Sequence, residues 1–558
     1  MGHRDGPRAA ARAVLVYLGY ALAAVLVVLP VVVEQAVERV SFDERLGTLP
    51  VQVSLTHSGR STLATGILGD LYYDETGAFG FGLHARVTGP PEAGGTLASY
   101  ADPEFIRANL YFLDNPSAVV AAYSQEFQQA ILAHVVKVAL PLGLAGGAVL
   151  LLIRRRRPAA TESVVRRRAT IVAVTVTGIL LSTAAAAVLF QRWSDETATA
   201  EAYPLPGFPE LSVGSRQTLE LALQVRPFVE KNRARIAERS RAYQAAAATS
   251  FGAALQARSG TLTPADGEVI VIAEADPQGG HVGAEVRTIL KQQLSEALGP
   301  AAIAFRTISG DITSNGTIAE ADFVRKEAGV GGDLPTIAVA GDHDSPATVK
   351  QMQDNEMTVP DLETVEVAGL RVSGANDVEQ KALFGALVSN ESGLTEQELG
   401  AAVREEVSED EAGIVLLHQP AAAAGFLGVD LDRVRALAGG SLTAAYDDGI
   451  PDVPPGTVSI GHLHDLDGPW VVWNTDGEPV TWTVVDQLGT SGGMEEQPTF
   501  NRFSTPISVP LKTLSFRLQY FDTGTGLQTG YATVTCATDG KCSISGRTDV
   551  GGPLPESP

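Results

Sequence analysis

Near its N-terminus the chain carries a long stretch without a single charge. Residues 13–33, AVLVYLGYALAAVLVVLPVVV, form this stretch of 21 residues. At ~1.5 Å per residue, a helix of this length crosses a hydrocarbon core ~30 Å thick and satisfies its own backbone there. A cleaved signal would have a shorter apolar core and a small-residue cleavage site, whereas EQAVERV follows here. We therefore interpret the stretch as an uncleaved membrane span.

Two further apolar stretches, at about 130–153 and 170–190, predict a second and a third span. Between them lies RRRRPAATESVVRRR, a short loop with seven arginines and one glutamate. Short loops this basic remain in the cytoplasm. No pair of charges in the middle of a span marks an ion path, so we interpret the three spans as a multi-pass anchor in the plasma membrane.

The arginines before the first span and those in the loop predict the same membrane orientation. Three arginines precede the first span, namely Arg4, Arg8 and Arg12. They place the N-terminus in the cytoplasm, residues 35–128 outside, the arginine-rich loop inside, and everything after Arg192 outside. The predicted location of the large C-terminal part is therefore extracytoplasmic.

Charge is distributed unevenly along the 558 residues, which are too many for one domain. Residues 191–558 hold 25 Lys and Arg against 51 Asp and Glu, a net charge of −26, whereas residues 1–190 have a net charge of +2. A region this acidic repels the phosphate backbone of DNA or RNA. We therefore expect no nucleic-acid binding.

Shifts in composition predict six segments. Period-2 alternation in VQVSLTHSGRSTL and FGFGLHARVTGPP indicates strands outside the membrane, and a Pro- and acid-rich stretch at 194–214 indicates a linker. The predicted boundaries are 1–34 for the cytoplasmic N-terminus and first span, 35–128 for a small extracytoplasmic α+β segment, 129–192 for the second and third spans with their loop, 193–266 for a linker and helical stalk, 267–490 for the main domain, and 491–558 for a β-rich extension with a hairpin.

The chain has two cysteines, Cys536 and Cys542, in TVTCATDGKCSIS. The two arms around Asp-Gly predict a β-hairpin with one cysteine on each arm. The pair is close enough in sequence to form a disulfide in an oxidising compartment, and two free thiols are the alternative.

Five short apolar runs within residues 268–464 each end in polar residues. They are EVIVIAEAD, AAIAFRTISGDI, PTIAVAGDHDS, AGIVLLHQP and GTVSIGHLH, with helical stretches between some of them. Alternating strands and helices predict a layered α/β domain. In such domains the polar residues at strand ends form the functional site.

Four histidines follow these apolar runs, together with three aspartates. Each histidine alone is more often a structural residue than a ligand, but their repeated placement favours a metal site for divalent ions. There are enough ligands for two ions that share a carboxylate, ~3.5–4 Å apart. The candidates are His343, His418, His462, His464, Asp311, Asp342 and Asp344.

Four blocks in this region resemble blocks two to five of the calcineurin-like metallophosphoesterases. They are SGDIT (309–313), AGDHDSP (340–346), LLHQP (416–420) and GHLHD (461–465), in matching order and spacing. The resemblance covers roughly residues 269–488. It implies a metallophosphatase-type two-sheet sandwich flanked by helices, here preceded by three transmembrane helices and a small α+β segment, with two divalent metal ions and a phosphate-ester substrate.

The resemblance also implies a role for each matched residue. Asp311 would bridge the two metals, and Asp342, where the family usually has Asn, would bind the second. His343 would act beside the scissile ester, with Asp344 orienting its imidazole. His418 and His462 would bind the second metal and His464 the first.

The first block departs from the family pattern of Asp-x-His. In VIVIAEADPQGGHVGAE, Glu274 aligns with the Asp and Asp276 with the His, and His281 lies in an insertion as an additional candidate ligand. An oxygen-rich site favours Mn²⁺, Mg²⁺ or Ca²⁺ over Zn²⁺ or Fe. Two interpretations follow: a phosphoesterase of a bacterium-like cell envelope that works by metal-bound hydroxide, or a weak or inactive module with a binding or assembly role.

Overall fold

The computed structural model describes residues 6–46, 49–64, 70–89, 116–156, 202–206, 208–382, 386–390, 392–407, 413–438, 453–474, 481–494 and 510–551. They form two compact units. The first lies within residues 1–44, 50–89 and 115–225, and the second within 45–49 and 226–551.

Two long apolar helices belong to the first unit, α1 (Gly6–Arg39) and α2 (Pro116–Arg156). Their segments Val14–Arg39 and Pro116–Ile153 are long and apolar enough to cross a membrane. The helices approach closely at Gly147, where a Cβ atom would lie 2.8 Å from the backbone of Ala21. The first two predicted spans thus coincide with membrane-length helices. The third, at 170–190, and most of the arginine-rich loop lie outside the described residues.

A seven-stranded sheet completes the first unit, in the order β1-β2-β5-β3-β4-β7-β6. The alternating stretches form strands, as the pattern predicts. Residues 203–213 differ from the interpretation as a linker, because they form β6 and β7 and β7 pairs with β4. The strands are β1 (Ser41–Leu46), β2 (Leu49–Thr56), β3 (Ser61–Ala64), β4 (Asp70–Tyr73), β5 (Gly82–Val87), β6 (Tyr203–Leu205) and β7 (Phe208–Val213).

The second unit contains two large sheets. The first has the order β10-β9-β8-β19-β20-β21, with β22 paired to β20, and the second has the order β11-β12-β15-β16-β18-β17. Their strands are β8 (Glu268–Glu274), β9 (Ile303–Ser309), β10 (Thr336–Val339), β11 (Glu363–Val367), β12 (Leu370–Gly374), β15 (Gly413–Leu417), β16 (Gly456–Ile460), β17 (Asp467–Asn474), β18 (Thr481–Gln487), β19 (Leu514–Asp522), β20 (Gln528–Cys536), β21 (Cys542–Ile544) and β22 (Thr548–Asp549). A separate pair is β13 (Gln380–Ala382) with β14 (Ala386–Ser389).

Seven helices accompany these sheets in the described part of the chain. They are α3 (Arg216–Leu262), α4 (His281–Leu298), α5 (Ala321–Ala328), α6 (Pro346–Asp354), α7 (Glu396–Glu406), α8 (Pro420–Leu427) and α9 (Leu431–Ala438). Helices α3 and α4 share a core with β8 and β19, and α7, α8 and α9 share one with β15 and β16.

The two large sheets share a core between them. Val271 and Phe305 of the first sheet pack in one buried cluster with Val372, Ile414 and Leu416 of the second. Strands covered on both faces bury nearly every side chain, which is why they read as continuous apolar runs. The predicted α/β character of this unit is confirmed.

The C-terminal segment is part of the first large sheet. Strand β19 lies between β8 and β20, antiparallel to both. The segment predicted as an extension therefore supplies a central strand. The predicted hairpin forms from β20 and β21, with Cys536 opposite Cys542 and a disulfide between them.

Candidate metal centre

The polar residues singled out by the sequence follow the ends of neighbouring strands. Strands β8, β9 and β10 are parallel, and so are β15 and β16. Parallel neighbours end at the same edge of a sheet, and the shared core places the two edges together. The residues that follow the five strands are Asp276 after β8, Asp311 after β9, Asp342 after β10, His418 after β15 and His462 after β16.

Three groups of these side chains have the spacing of metal ligands. In each group the candidate ligand atoms lie within 4.8 Å of one another. The groups are Asp342, His418 and His462; Asp276, Asp311 and His418; and Asp311, Asp342 and His343. His418, Asp311 and Asp342 each occur twice, so the groups form one connected cluster, which we call the acid–histidine cluster.

His418 lies at the middle of this cluster. Its Nδ1 is 2.9 Å from the carbonyl oxygen of Ser309, which makes Nδ1 the donor nitrogen. Its Nε2 lies 3.2 Å from Oδ1 of Asp342 and 3.3 Å from Oδ1 of Asp311. A backbone carbonyl that fixes one ring nitrogen and leaves the other for the cluster is the usual arrangement of a metal-binding histidine.

His464 is oriented in the same way. Its Nδ1 is 2.9 Å from the carbonyl oxygen of Met494, and its Nε2 is 3.8 Å from Oδ1 of Asp276. His462 is the more exposed ring, with its Nδ1 3.5 Å from Oδ1 of Asp342. His462 belongs to one of the three ligand groups, and His464 lies beside Asp276 of another.

Three buried carboxylates crowd the cluster. The residues Asp276, Asp311 and Asp342 are at most 1% exposed. Burial raises the pKa of Asp276 well above its usual value, and the charges of Asp311 and Asp342 add to that rise. Among the described residues, Oδ2 of Asp276 and Oδ2 of Asp311 have no hydrogen-bond partner. Unpartnered buried carboxylate oxygens are costly, so this donor set fits divalent cations.

The backbone at the cluster is held in an unfavourable conformation. Four residues have φ in the left-handed region: Asp276 (51°), Asp311 (53°), His462 (72°) and His464 (54°). For non-glycine residues this costs roughly 1–3 kcal/mol each and persists where the surroundings dictate it, often at functional sites.

The glycine before Asp342 is required by close packing. A Cβ atom at Gly341 would lie 2.3 Å from Oδ1 of Asp311 and 2.9 Å from Cε1 of His418. No side chain fits there without moving two candidate ligands. The Gly-Asp dipeptide of this block therefore has a steric cause.

His343 lies in the cluster, but its partner differs from the expected one. Its backbone N–H donates to Oδ1 of Asp311 at 2.9 Å, and its Nδ1 lies 3.1 Å from the carbonyl oxygen of Ser314. Ser314, rather than Asp344, orients the imidazole. The burial of the ring opposes charge, yet Asp311 and Asp342 outweigh it and raise the pKa of His343.

Asp344 instead ties two loops together. Its carboxylate accepts hydrogen bonds from the backbone N–H groups of Gly341 (2.9 Å), Ile312 (2.9 Å) and Thr313 (2.8 Å), and from the Thr313 hydroxyl (2.7 Å). Burial, with the nearby charge of Asp311, raises the pKa of Asp344 to about 6. Its role is to hold the loops that carry Asp311 and Asp342 in register.

The structure does not bring Glu274 to the acid–histidine cluster. Its carboxylate lies 2.7 Å from Nζ of Lys291, 3.1 Å from Nη1 of Arg287 and 3.0 Å from Nε of Arg306. Burial opposes its charge, but the three cations outweigh burial and lower the pKa of Glu274. These residues and Glu327 form a buried charge network.

Asp276 is therefore the acid of the first block that reaches the cluster. The residue two positions later, Gln278, is buried as well. His281 begins α4 and packs its ring against Phe323, with ring centroids 5.0 Å apart. It belongs to none of the three ligand groups.

Sequence reasoning missed Lys381. Its Nζ lies 3.1 Å from Oδ2 of Asp342, and its backbone N–H donates to the carbonyl oxygen of Asp342 at 2.7 Å. Lys381 lies in the short strand β13, 39 residues along the chain from Asp342, and no motif surrounds it. Only the folded chain brings the two together.

Comparison with known proteins adds little. No family model matches the chain, and no curated protein matches it. Among solved structures, the crystal structure of TT1561 of Thermus thermophilus is similar at 14% identity, with 47% of this chain and 96% of that chain covered and a TM-score of 0.26. A likeness at this TM-score carries no argument about function.

Proposed function

We propose that this protein is a membrane-anchored, metal-dependent phosphoesterase. The observation that carries the proposal is the convergence of Asp276, Asp311, Asp342, His418 and His462 at adjoining strand ends, with buried carboxylate oxygens left without partners. The four ordered blocks that resemble calcineurin-like metallophosphoesterases support the same chemistry. The residue types in these blocks and their placement at the strand ends agree.

The residues divide between two cation positions that share Asp311. Asp276, Asp311 and the nearby His464 would hold one ion, and Asp342, His418 and His462 the other, with Asp311 within reach of both. When bound, divalent cations supply charge that activates water and stabilises the phosphoryl oxygens. The oxygen-rich set favours Mn²⁺, Mg²⁺ or Ca²⁺.

His343 is the residue placed to handle a proton. The Ser314 carbonyl holds its Nδ1, which leaves Nε2 for the substrate. From there the ring donates a hydrogen bond to a phosphoryl oxygen or a proton to the departing alcohol oxygen. Asp344 keeps the loop of His343 in place through its hydrogen bonds to residues 312, 313 and 341.

The proposed location is the outer face of a bacterium-like plasma membrane. Two membrane-length helices support an anchor, and the arginines before the first support a cytoplasmic N-terminus. The disulfide between Cys536 and Cys542 is consistent with an oxidising compartment for the C-terminal unit.

The test uses the full chain purified in detergent. Hydrolysis of bis(p-nitrophenyl) phosphate and of p-nitrophenyl phosphate is measured with added Mn²⁺ and after chelation. We expect Mn²⁺-dependent turnover that Asp311→Asn abolishes and that Asp322→Asn retains, because Asp322 is a surface residue paired with Arg325. Thermal unfolding gives a second readout, because Asp311→Asn removes one crowded carboxylate and should also remove the stabilisation by Mn²⁺.

Two results would count against the proposal. Turnover unchanged by Asp311→Asn would remove the cluster from the reaction. Binding of Mn²⁺ without hydrolysis of either substrate would favour the alternative, a metal-binding module with a binding or assembly role.

A further inference from the structure

Lys381 places a positive charge directly on one of the three cluster carboxylates. Oδ1 of Asp342 faces His418 and His462, while its Oδ2 lies 3.1 Å from Nζ of Lys381. The corresponding second oxygens of Asp276 and Asp311 have no partner among the described residues. The chain therefore supplies a fixed cation to one of the two candidate metal positions and not to the other.

The ammonium is held at the edge of the cluster. The hydrogen bond from the Lys381 backbone N–H to the Asp342 carbonyl tethers the two residues, and Glu379 Oε2 lies 3.2 Å from Lys381 Nζ. The side chain of Lys381 is 18% exposed, whereas that of Asp342 is 1% exposed. Lys381 is thus the solvent-accessible partner of a buried carboxylate.

Its charge has opposite consequences for cations and anions. A divalent cation held by Asp342, His418 and His462 would share the Asp342 carboxylate with the ammonium, and like charges this close repel. An anion that contacts both the ammonium and the cation would relieve that repulsion. A phosphoryl group suits this best, because it carries negative charge on several oxygens and can contact both at once.

We propose that Lys381 forms a phosphate-binding subsite at the edge of the acid–histidine cluster and makes cation binding at Asp342, His418 and His462 depend on a bound phosphoryl group. The inference rests on the proposed function, because it requires that the cluster binds divalent cations. The position formed by Asp276, Asp311 and His464 then fills first. Substrate arrival completes the second position, which restricts the assembled centre to phosphorylated compounds.

Calorimetric titration of the full chain with Mn²⁺, with and without inorganic phosphate, tests the coupling. For the wild type we expect one tight and one weak Mn²⁺ site, with the weak site strengthened by about fivefold or more when phosphate is present, a typical coupling between linked ligands. Lys381→Met should strengthen the weak site without phosphate and lose the effect of phosphate. Lys381→Arg should retain it, because the charge remains.

Lys350→Met is the matched control. Lys350 forms a surface ion pair with Asp354, 2.8 Å away on α6, so its loss should leave both Mn²⁺ affinities and the phosphate effect unchanged. Thermal unfolding establishes that each variant folds, and Lys381→Gln replaces the Met variant if that one does not. A merely structural salt bridge would alter the melting temperature but not the coupling to phosphate.

The outcomes separate the two proposals. Absence of Mn²⁺ binding in the wild type would overturn the proposed function and this inference with it. Two Mn²⁺ sites whose phosphate dependence survives Lys381→Met would overturn the Lys381 subsite alone. Loss of the coupling in the Met variant, with retention in the Arg and Lys350 variants, would establish the subsite.

Discussion

Nε2 of His418 lies 3.2 Å from Oδ1 of Asp342, although the two residues are 76 positions apart. His418 follows a strand of the second large sheet, and Asp342 follows a strand of the first. The same nitrogen also lies 3.3 Å from Oδ1 of Asp311, the carboxylate within reach of both candidate cation positions. The sheets' shared core therefore determines whether the centre assembles.

Replacing His418 should empty the position formed with Asp342 and His462. In His418→Ala we expect metal content to fall and the Mn²⁺-dependent rate to fall at least roughly 100-fold, above the loss typical of changes outside the ligand shell. Metal content by mass spectrometry and the phosphodiester rate check this. His281→Ala is the control, because His281 belongs to no ligand group and should retain metal. Equal losses in both variants would contradict the assignment.

Gly341→Ala should disrupt the cluster through sterics alone. The added methyl would lie 2.3 Å from Oδ1 of Asp311 and 2.4 Å from its backbone nitrogen, so Asp311 must move. We expect about 1–3 kcal/mol lower free energy of unfolding, as for overpacked cores, together with loss of Mn²⁺ binding. In Gly329→Ala the methyl meets nothing within 4 Å, and both properties should remain near wild type. Retained Mn²⁺ affinity in Gly341→Ala would show that the loop relaxes freely.

Substitution of Glu274 should mainly lower stability, whereas substitution of Asp276 should mainly abolish metal binding. Glu274→Gln leaves Lys291, Arg306 and Arg287 short of negative charge in the interior, which should cost about 3–5 kcal/mol of unfolding free energy. Its metal stoichiometry should stay unchanged in the folded protein. Asp276→Asn should lose metal with a smaller change in stability. Urea unfolding and metal analysis of the two variants test these expectations. Loss of metal in Glu274→Gln with unchanged stability would show that Glu274 is a metal ligand.

Glu268 predicts a specific pH dependence of stability. Its hydrogen bonds with Arg547, one of them 2.9 Å, lower the pKa of Glu268 from 4.5 to about 2. Because the folded pKa is the lower one, this stabilisation is present above about pH 4.5 and is lost as the pH falls toward 2.

Arg547→Met isolates that contribution. We expect it to lower the free energy of unfolding by roughly 1 kcal/mol at neutral pH, and the difference from wild type to shrink as the pH falls below 4.5. Lys541→Met is the control, because Lys541 pairs with Asp539 on the surface. Denaturant unfolding at several pH values measures both. A difference that stays constant down to pH 2 would rule out the pair as its source.

Much of the framework is readable from local sequence. The apolar runs at β8, β9, β10, β15 and β16 identify strands because a strand buried on both faces must be apolar along its length. Asp311, Asp342, His418 and His462 are readable as a group because each directly follows such a run. The first membrane-length helix is equally local, since the length and apolar composition of one continuous stretch identify it.

Contacts between distant residues were decided only by the tertiary structure. Glu274 ends the expected strand but pairs with Lys291 and Arg306, 17 and 32 residues away, so its neighbours and not its position in a motif determine its role. Asp344 bonds Thr313 rather than His343, and Lys381 meets Asp342 without any local signal.

Strand positions and sheet pairing differ in the same way in this protein: the first can be predicted from local sequence and the second cannot. Local sequence indicates the strands and the polar residues that follow them, because periodicity and hydropathy depend on a few neighbouring residues. The pairing of β19 with β8, and the pairing of carboxylates with cations of the chain, become visible in the folded protein alone. Residues that pair electrostatically or pack together are close in space but often far apart in the sequence, so local sequence patterns do not identify them.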